Sequence, residues 1–448
     1  MGKIIIANLS ISQIVAFNPV LQDSSDVREE YLKRLGNYFS VCKRKKRNYD
    51  SAAFHAYEKF FADAKETIVI HDINYYQYFI LFDLAHIFGY NTMQISGEAL
   101  VCLKKLYQAD FPQSNDSIVN KIFQAFSVDD MILRRLKHLE NNTQLTEELK
   151  YIQKIEQNLK YKEQKPFRIL VTATMSAGKS TFINALIGKQ ICLSKNMACT
   201  SQIKTIINKA FEDGYSSIYD HYLNMTATND DVLNTDKSSA SDKTFLSTSF
   251  GGVFDGRRLM LIDSPGVNNS QDDHHKRLTY QFLKRRKYDL VVYLMNAEVL
   301  ETNDASEFLT YIKQTIGKTP ILFVINKVDL FDADEDKIED KVGFWKDYIC
   351  SFGFKNPLIC PISSRAGYLA KKIKHEQLSL FDELDFYNYI HKLEKMGLRQ
   401  YYQKSFPNIK VENVDKEEQL IATSGIAYVE KIIISLGGKS SDTIVRKI

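Results

Sequence analysis

The stretch from Phe167 to Ile187, FRILVTATMSAGKSTFINALI, constrains the fold more than any other part of the chain. An apolar, β-prone run over 167–171 leads into a loop of small residues, and the GKS at 178–180 opens an apolar-periodic segment typical of a helix. A strand, a small-residue loop and a helix N-terminus in this order predict a phosphate-binding loop. Ala173 stands where the usual pattern has its first glycine, so the prediction rests on the strand and the helix around the loop.

The residue types of this loop match the chemistry of phosphate binding. Backbone N–H groups must point inward at an anionic phosphate, which excludes bulky side chains at the tight positions. Lys179 is expected to reach the β- and γ-phosphates, and the Ser180 hydroxyl to ligate Mg²⁺. The nucleotide-binding residues predicted in this loop are Ala177, Gly178, Lys179, Ser180 and Thr181.

Length and composition set the outer limits. With 448 residues and 44% hydrophobic content, the chain is expected to form two or more globular units. A formal charge of +4 neither demands nor excludes an anionic partner. Six cysteines without metal-ligand spacing are typical of reduced thiols in a cytoplasmic protein. Asp83 and His86 interrupt the most apolar stretch, 75–90, which falls short of the roughly 20 apolar residues of a spanning helix. We therefore expect a cytoplasmic protein in which any contact with the membrane is peripheral, at its inner face.

Residues 1–165 are predicted to be mostly helical, because apolar residues recur at spacings of three and four. Ser96 and Ser127 are the predicted starts of two of these helices. The last helix carries a short apolar seam and is interpreted as a neck leading into the nucleotide domain at Pro166. The seam consists of Leu145, Leu149, Ile152, Ile155 or Glu156, and Leu159.

Two features of this N-terminal region have competing interpretations. The basic run at 43–47 could bind anionic lipid or nucleic acid, but such runs are more often solvated helix ends or loops. The aromatic stretch at 67–82 lacks interleaved Lys and Arg, so it is predicted to be core and not a base-stacking platform. His71, within it, is predicted to be structural.

Residues 166–448 are predicted to form the nucleotide domain. Continuous β-rich runs at 259–262, 288–296, 320–326 and 358–362 are typical of strands buried on both faces of a parallel sheet. The polar stretch near 213–249 is predicted to be a partly flexible insertion, and the stretch near 371–420 a helical one. The predicted fold class is an α/β P-loop GTPase domain with a mostly parallel sheet flanked by helices, preceded by a mostly α-helical N-terminal domain.

Five motifs follow one another at the ends of the predicted strands, and together they converge on the ligand edge of an open α/β sheet. Asp263, in DSPG, is placed to hold Mg²⁺ through water, and the Gly266 amide to sense the γ-phosphate. In the preceding loop, Thr200 is the preferred candidate for completing the Mg²⁺ shell and positioning water. Ser201 and Thr205 are its competitors.

The motif at 326–329, NKVD, selects the base. Asp329 can accept hydrogen bonds from N1–H and the N2 amino group of guanine, a pattern that adenine lacks. Lys327 is expected to cover the ring, and Asn326 to tie this loop to the phosphate loop. Ser363 and the amide of Ser364 are expected to hold the guanine O6. A site built for polar groups rejects a base that leaves them unpaired, so GTP is the expected ligand.

Val267 follows the DSPG turn where small signalling GTPases carry a water-orienting glutamine. Water must therefore be oriented otherwise, or hydrolysis by the isolated chain is slow. A backbone carbonyl, a bound monovalent cation or a second subunit are the three alternatives. Asn268, Asn269 and His275 are candidates for the contact with that subunit, or simply polar residues on an exposed loop.

The chain resembles the GTPase domain of the bacterial dynamin-like family. The resemblance rests on TMSAGKSTFINALIG, ACTSQI, LIDSPGVNNSQDDHH, VINKVDL and PISSRAGYLA, and it covers about residues 166–370. It resumes at 424–436, which is similar to the closing helix of that domain. The resemblance implies a large GTPase that forms a homodimer through its nucleotide faces, and whose hydrolysis changes a helical neck and stalk on membranes.

The resemblance also implies particular roles. The serine at the Ser176 position helps to hold a charge-compensating monovalent cation, K⁺ or Na⁺, beside the phosphates, so Lys179, Ser176 and Thr200 are the expected catalytic residues. Met175 stands where eukaryotic dynamins carry a catalytic glutamine. A long stalk follows the GTPase domain in dynamins, so either a partner chain supplies that half here or the chain is a reduced family member.

Three functional hypotheses remain open. The first is a dynamin-like GTPase that remodels membranes or responds to membrane stress. The second is a GTP-gated scaffold that recruits a protein partner and is reset by slow hydrolysis. The third, an Era-type GTPase acting on ribosomal RNA, is disfavoured because no basic, aromatic RNA-binding module follows the nucleotide domain, which makes a nucleic-acid partner unexpected.

Overall fold

The computed structural model describes residues 14–42, 50–64, 71–90, 95–126, 146–174, 176–193, 203–219, 223–235, 243–254, 256–265, 273–285, 287–299, 302–411 and 415–437. The chain divides into two compact units. One contains residues 1–165, 209–219 and 223–226, and the other contains 166–208, 220–222 and 227–448. That each unit is a separate domain stays a prediction.

The described secondary structure is labelled in chain order. The helices are α1 (Ser25–Cys42), α2 (Asp50–Asp63), α3 (Gln77–Tyr90), α4 (Gly97–Asp110), α5 (Asp116–Phe126), α6 (Thr146–Glu163), α7 (Lys179–Ile187), α8 (Asn229–Asn234), α9 (Asp273–Arg285), α10 (Asn303–Thr315), α11 (Ile338–Ser351), α12 (Ser364–Ile373), α13 (Leu380–Lys395), α14 (Leu398–Ser405), α15 (Lys416–Thr423) and α16 (Ile426–Gly437). The strands are β1 (Phe167–Ala173), β2 (Ile203–Asn208), β3 (Ser216–Tyr219), β4 (Leu223–Ala227), β5 (Lys243–Thr248), β6 (Leu259–Asp263), β7 (Leu290–Asn296), β8 (Ile321–Asn326) and β9 (Leu358–Ile362).

The second unit, here called the nucleotide unit, is built on a mostly parallel sheet, as predicted; the first is called the N-terminal unit. Its described strands follow the order β5-β2-β6-β1-β7-β8-β9. Only the β2–β6 pair among them is antiparallel. All seven residues of β7 are buried, which is typical of a strand covered by helices on both faces. The carboxyl ends of β1, β6, β8 and β9 therefore lie along one edge, where the predicted motifs begin.

The stretch near 213–249 contains regular secondary structure that its polar composition did not predict. It contains β3, β4, the short helix α8 and β5, and β5 pairs in parallel with β2 over its whole length. The partly flexible insertion stays a prediction, and some of the polar residues on which it was based are capping groups. Thr228 and Asp231 form a reciprocal capping box at the start of α8.

The predicted helical stretch near 371–420 contains α13, α14 and α15. Two tyrosine hydroxyls fasten α14 to the last strand: Tyr401 donates to the Ile359 carbonyl and Tyr402 to the Pro361 carbonyl, each at 2.8 Å. Among the described helices, none is by itself long and apolar enough to cross a bilayer. Helices α15 and α16 reach that length and composition only as a pair, bent by 79° at their junction.

The closing helix α16 is joined to the helix that follows the phosphate loop. Lys371, on α12, donates to the Leu186 carbonyl at 2.8 Å, near the end of α7, and forms an ion pair with the buried Glu430 of α16. Burial raises the pKa of Glu430, and the charge of Lys371 opposes that shift. One lysine therefore holds three helices together behind the phosphate loop.

The N-terminal unit is a helical core in which several predictions are confirmed. Ser96 caps α4 by accepting a hydrogen bond from the Ala99 amide at 3.2 Å. In α3, Phe79 and Phe82 are buried, so this part of the aromatic stretch is core as predicted, whereas Tyr75 before the helix is 44% exposed. His71 bonds Asp23 through its backbone amide and its ring, a structural role.

The predicted neck helix α6 is part of this core. Ile152 and Ile155 are buried as the seam predicted, and Tyr151 and Asn158, which the prediction omitted, are buried beside them. Some predicted features of this unit lie outside the described residues: Leu145, the side chains of Leu149 and Leu159, the Ser127 helix start and the basic run at 43–47.

A buried carboxylate organises the N-terminal unit. Asp83, on α3, is fully buried and accepts four hydrogen bonds from three helices and the segment before α1. The donors are Tyr31 at 2.6 Å, Tyr57 at 3.0 Å, Asn18 and Tyr151. A carboxylate deprived of water is tolerated only when such donors replace the lost hydration.

Asp83 shares the Tyr57 hydroxyl with His86, one turn along α3, at 3.1 Å from Nδ1. Burial raises the pKa of Asp83 from 3.8 to about 7, against the opposing hydrogen bonds. Burial, followed by the charge of Lys162, lowers the pKa of His86 from 6.5 to about 3. Between about pH 4 and 6.5, the unfolded pair holds one proton on the histidine and the folded pair holds one proton on the carboxyl. The two groups therefore cancel in the pH dependence of stability.

Substituting one of the two residues should reveal the pH dependence of stability that the other contributes. In Asp83→Asn only His86 remains, with its folded pKa depressed, so stability should be lost as the pH falls below 6.5. In His86→Gln only Asp83 remains, with its folded pKa raised, so stability should be lost as the pH rises from about 4 to 7. Each limiting slope is about 1.4 kcal/mol per pH unit. Hydrogen exchange of the α3 amides, corrected for intrinsic rates, measures both; slopes of the same sign in the two variants would contradict the pairing.

Candidate nucleotide-binding site

The loop between β1 and α7 has the backbone that a phosphate cradle needs. Gly178 caps α7 in the left-handed region, with φ 84°, and no side chain caps the helix. A Cβ at this position would lie 2.4 Å from the Asn326 amide nitrogen, so only glycine fits. Ser176 also has a positive φ, 60°, which is uncommon for a residue other than glycine. The N-terminus of α7 is thereby left open to an anion.

Asn326 joins three parts of the site. Its side-chain nitrogen donates to the Ala177 carbonyl in the phosphate loop at 2.8 Å. Its side-chain oxygen accepts from the Ser364 amide, in the loop after β9, at 2.9 Å. The side chain is buried, so both bonds are protected from water. The predicted tie between the base loop and the phosphate loop is present.

The acidic end of β6 lies beside the phosphate-loop lysine. Asp263 is fully buried, and its carboxylate forms an ion pair with the Lys179 ammonium. The Cys192 thiol lies 4.0 Å from the other carboxylate oxygen. Ser264 fixes the turn by donating its hydroxyl to the Val171 carbonyl at 3.2 Å. Two residues predicted to act on the phosphates and the metal are therefore brought together.

The base loop follows β8 as a single 3₁₀ turn, Val328–Leu330, which Lys327 enters with a positive φ of 70°. Asp329 is buried in this turn. Burial raises its pKa; the hydrogen bond from Ser363 and the charges of Lys327 and Lys392 lower it. The carboxylate is therefore removed from water but stabilised by a hydrogen bond and two positive charges, which suits a group that accepts hydrogen bonds from the N–H groups of a base.

The loop after β9 differs in one respect from the prediction. Ser363 caps α12 by accepting from the Ala366 amide at 3.2 Å and is fully buried, while its own amide is bonded to the Ser424 carbonyl. The Ser364 amide, predicted to hold the guanine O6, donates instead to Asn326. A base carbonyl at this position would have to share that donor.

Several predicted positions lie outside the described residues. They are Met175, Thr200, Ser201, Gly266, Val267, Asn268, Asn269 and the side chain of His275. The competitor Thr205 lies inside β2, paired with Ile262 of β6.

From the sequence, no role was predicted for three buried residues of this region, Lys204, Asn184 and Cys192. Lys204, fully buried, lies directly across the antiparallel β2–β6 pair from Asp263 and donates to the Ile191 carbonyl at 3.4 Å. Asn184, on α7, bonds the backbone of residues 191 and 192 at 2.9 to 3.0 Å, which places Cys192. A lysine inside an apolar strand, IKTIIN, was the available signal for Lys204.

The donor set fits Mg²⁺. The metal prefers few protein carboxylates together with hydroxyl, phosphate and water oxygens. The buried Asp263 carboxylate already faces a cation, the Lys179 ammonium, and Ser180 lies in the first turn of α7. No cluster of three or more His, Cys, Asp or Glu occurs among the described residues.

The comparisons with known proteins show a family similarity in the part of the chain that holds this site. Residues 169–328 match the model of the dynamin family. This part of the chain is therefore similar to a dynamin-family GTPase domain. The matched range runs from β1 to the base loop, so it includes the phosphate loop, Asp263 and Asn326. Domains of this type bind and hydrolyse GTP and use a divalent metal, usually Mg²⁺.

Individual relatives of the dynamin-family domain are distant. An uncharacterized protein in the xynA 3′ region of Caldicellulosiruptor sp. is 27% identical over 239 residues, 51% of this chain and 56% of the relative. A chloroplastic FZO-like protein of Arabidopsis thaliana, named a probable transmembrane GTPase, is 25% identical over 207 residues, 46% of this chain and 20% of the relative. The matches thus span about half of the first relative and a fifth of the second.

Among solved structures, Aquifex aeolicus Era bound to GDP·AlF₄⁻ aligns with 48% of this chain and 58% of its own at 15% identity and a TM-score of 0.29.

Gly178→Ala should damage the phosphate loop. The added methyl group would lie 2.4 Å from the Asn326 side-chain nitrogen, so the loop, the Asn326 side chain or both must move. The positive φ at this position is also unfavourable for alanine. We expect GTP affinity to fall at least tenfold in calorimetric titration. Gly343→Ala, on α11 with nothing within 4 Å of the added carbon, is the matched control and should bind as the unaltered chain does. Equal affinities of the two variants would contradict the geometry of the loop.

Proposed function

We propose that this chain binds GTP with Mg²⁺, hydrolyses it, and couples nucleotide-dependent homodimerisation to membrane remodelling or a membrane-stress response. The observation that carries the nucleotide part is the Asn326 side chain, which bonds the phosphate loop and the loop after β9 at once. A guanine read by Asp329 and a triphosphate held by α7 then occupy one continuous site. The dynamin-family match supports the same activity.

The chain's own residues account for nucleotide binding. Lys179, now paired with Asp263, exchanges that carboxylate for phosphate oxygens when GTP enters. The amides at the start of α7 receive the remaining phosphate charge. Asp329 accepts from the guanine N–H groups, and Lys327 covers the ring. Releasing Lys179 leaves Asp263 needing a cation, which links phosphate binding to metal binding.

Mg²⁺, when bound, neutralises charge that develops on the transferred phosphoryl group. Ser180 and Asp263 are the residues that would hold it, with Thr200 as the proposed third ligand. Lys204 is opposite Asp263 in the antiparallel β2–β6 pair, so the two side chains lie on the same face of the sheet and the lysine adds positive charge on that face.

Dimerisation is proposed to complete catalysis. Val267 has no polar atom to orient water, and Met175 cannot act as a glutamine amide would. We propose that a second copy pairs through the nucleotide face, with Ser176, Thr200 and residues 268–275 near the contact. A monovalent cation, K⁺ or Na⁺, beside Ser176 would offset charge in the transition state.

The membrane part of the proposal concerns location and partners. We propose a cytoplasmic chain that contacts the inner face of the membrane peripherally, and a partner chain that supplies stalk helices. The match to the dynamin family supports this part. The GTP-gated scaffold is the outcome to expect if membrane contact is absent.

Asp329→Asn should change which base is bound. The amide nitrogen donates where one carboxylate oxygen accepted, so the guanine 2-amino group loses its acceptor, whereas the 2-carbonyl of xanthine gains a donor. We expect GTP affinity to fall at least a hundredfold and XTP affinity to rise. Asp334→Asn, an exposed carboxylate in the same loop paired with Lys395, is the control and should leave both affinities unchanged. An unchanged preference for GTP in Asp329→Asn would place base recognition elsewhere.

Turnover per molecule should rise with protein concentration, because isolated copies lack part of the water-orienting constellation. We expect at least a tenfold rise between 0.1 and 10 micromolar, roughly the range over which weak protein pairs form, with higher rates in K⁺ than in a choline salt. Lys179→Ala sets the background rate. Specific activity that stays flat in every salt would argue against assembly-coupled catalysis.

Co-sedimentation with vesicles separates the membrane function from the scaffold. Vesicles containing phosphatidylserine should sediment the chain more strongly with GDP·AlF₄⁻ than without nucleotide. Absence of sedimentation in both states, together with normal GTP turnover, would contradict the membrane part and leave the scaffold as the function.

A further inference from the structure

Helix α13 exposes an apolar stripe. Leu380, Phe381, Leu384 and Tyr387 have 78%, 83%, 65% and 51% of their surface accessible, and their spacing places them along one side of the helix. The opposite side packs inward through the buried Phe386, Ile390 and Leu393. Contiguous exposure of four large apolar side chains is unusual on a water-soluble surface and typical of an interaction site.

The charges around the stripe limit what can cover it. Glu383 and Asp385 are exposed on the same part of α13, and Glu376 lies in the adjoining groove beside Tyr387. Asp382 is paired with Arg365. The exposed margin of the stripe is therefore acidic, which disfavours an anionic bilayer surface and favours a cationic partner with apolar or aromatic groups.

A surface of that chemistry occurs on the same unit. A groove of about 540 Å³ between α9 and α10 is lined by Lys276, Arg277, Tyr280, Gln281, Lys284 and Tyr311. Tyr280 and Tyr311 stack with ring centroids 3.8 Å apart. Lys276 is paired with Glu307 on α10, whereas Arg277 and Lys284 are exposed, so the groove has a positive margin and an aromatic floor.

The stripe and the groove belong to different groups of helices. The connections from β6 to β7 and from β7 to β8 join parallel strands and move in one direction along the sheet, so right-handed crossovers place α9 and α10 together on one face. Helices α9 and α10 pack against each other, whereas α13 packs on α12, α14 and α15, and α12 packs on α7. The stripe of a second copy is therefore the occupant that we consider for the groove.

We propose that the α13 stripe of one copy docks in the α9–α10 groove of a second copy. The contact joins two different surfaces, so each added copy leaves one stripe and one groove open and the assembly can extend. Aromatic side chains offer about 150 to 250 Å² each; at the exposures above, the four stripe residues offer about 500 Å². A standard interface of about 800 Å² per partner, about 60% of it apolar, needs a similar area.

Charge reversal tests the contact. The first variant carries Glu383→Lys and Asp385→Lys, and the second carries Arg277→Glu and Lys284→Glu. Sedimentation velocity without nucleotide should show the unaltered chain growing beyond a dimer as its concentration rises. Each variant alone should self-associate with a dissociation constant at least tenfold higher than that of the unaltered chain. Mixing the two variants, or combining all four substitutions in one chain, should restore assembly because opposite charges again face each other.

The apolar part has its own variant and control. Phe381→Ser should weaken assembly at least tenfold, whereas Phe344→Ser, which removes another half-exposed phenylalanine on α11, should not. Lys179→Ala should assemble as the unaltered chain does, because this contact does not use the nucleotide face. The proposal would be overturned by a chain that stays monomeric at all concentrations, by assembly that survives reversal of the groove charges, or by a stripe that binds phosphatidylserine vesicles instead.

Discussion

The two hydrogen bonds of the Asn326 side chain are the constraint on which the rest of the nucleotide unit depends. Asn326 is the last residue of β8, in register with Asn296 of β7 and Ile362 of β9, so the sheet fixes where its amide points. The amide then sets the distance between the base loop and the phosphate loop. Because it lies against Gly178, it also explains why that position has no side chain.

Much of the nucleotide unit could be predicted from the sequence because its signals are local. Continuous apolar runs gave the parallel strands, and residues at the ends of those runs had to meet at one edge of the sheet. Lys179, Asp263 and Asn326 are placed together as that logic requires. The β2–β6 antiparallel pair and the extra strands near 213–249 were not predicted, because polar capping residues such as Thr228 resemble those of loops.

What could not be predicted depends on contacts between residues distant in sequence. In the sequence, Asp83 is only a charged residue that interrupts an apolar helix. The structure shows that Tyr31, Tyr57 and Tyr151 all donate hydrogen bonds to it. Lys204 is likewise a charged residue in a strand until its position across from Asp263 is known. In both places a buried ionisable side chain is retained with dedicated partners, which costs desolvation and gives one specific arrangement. Periodicity carries no information about such pairs.

The central claim is that Asn326 unites base and phosphate recognition, and calorimetric titration of Asn326→Ala tests it most directly. The variant keeps Asp329, Lys179 and the glycine loop, and loses only the two bonds at 2.8 and 2.9 Å. We predict that its GTP affinity is at least tenfold weaker and that its affinity for inorganic tripolyphosphate falls as well, because the phosphate loop is no longer held. Unchanged affinity for both ligands would contradict the account.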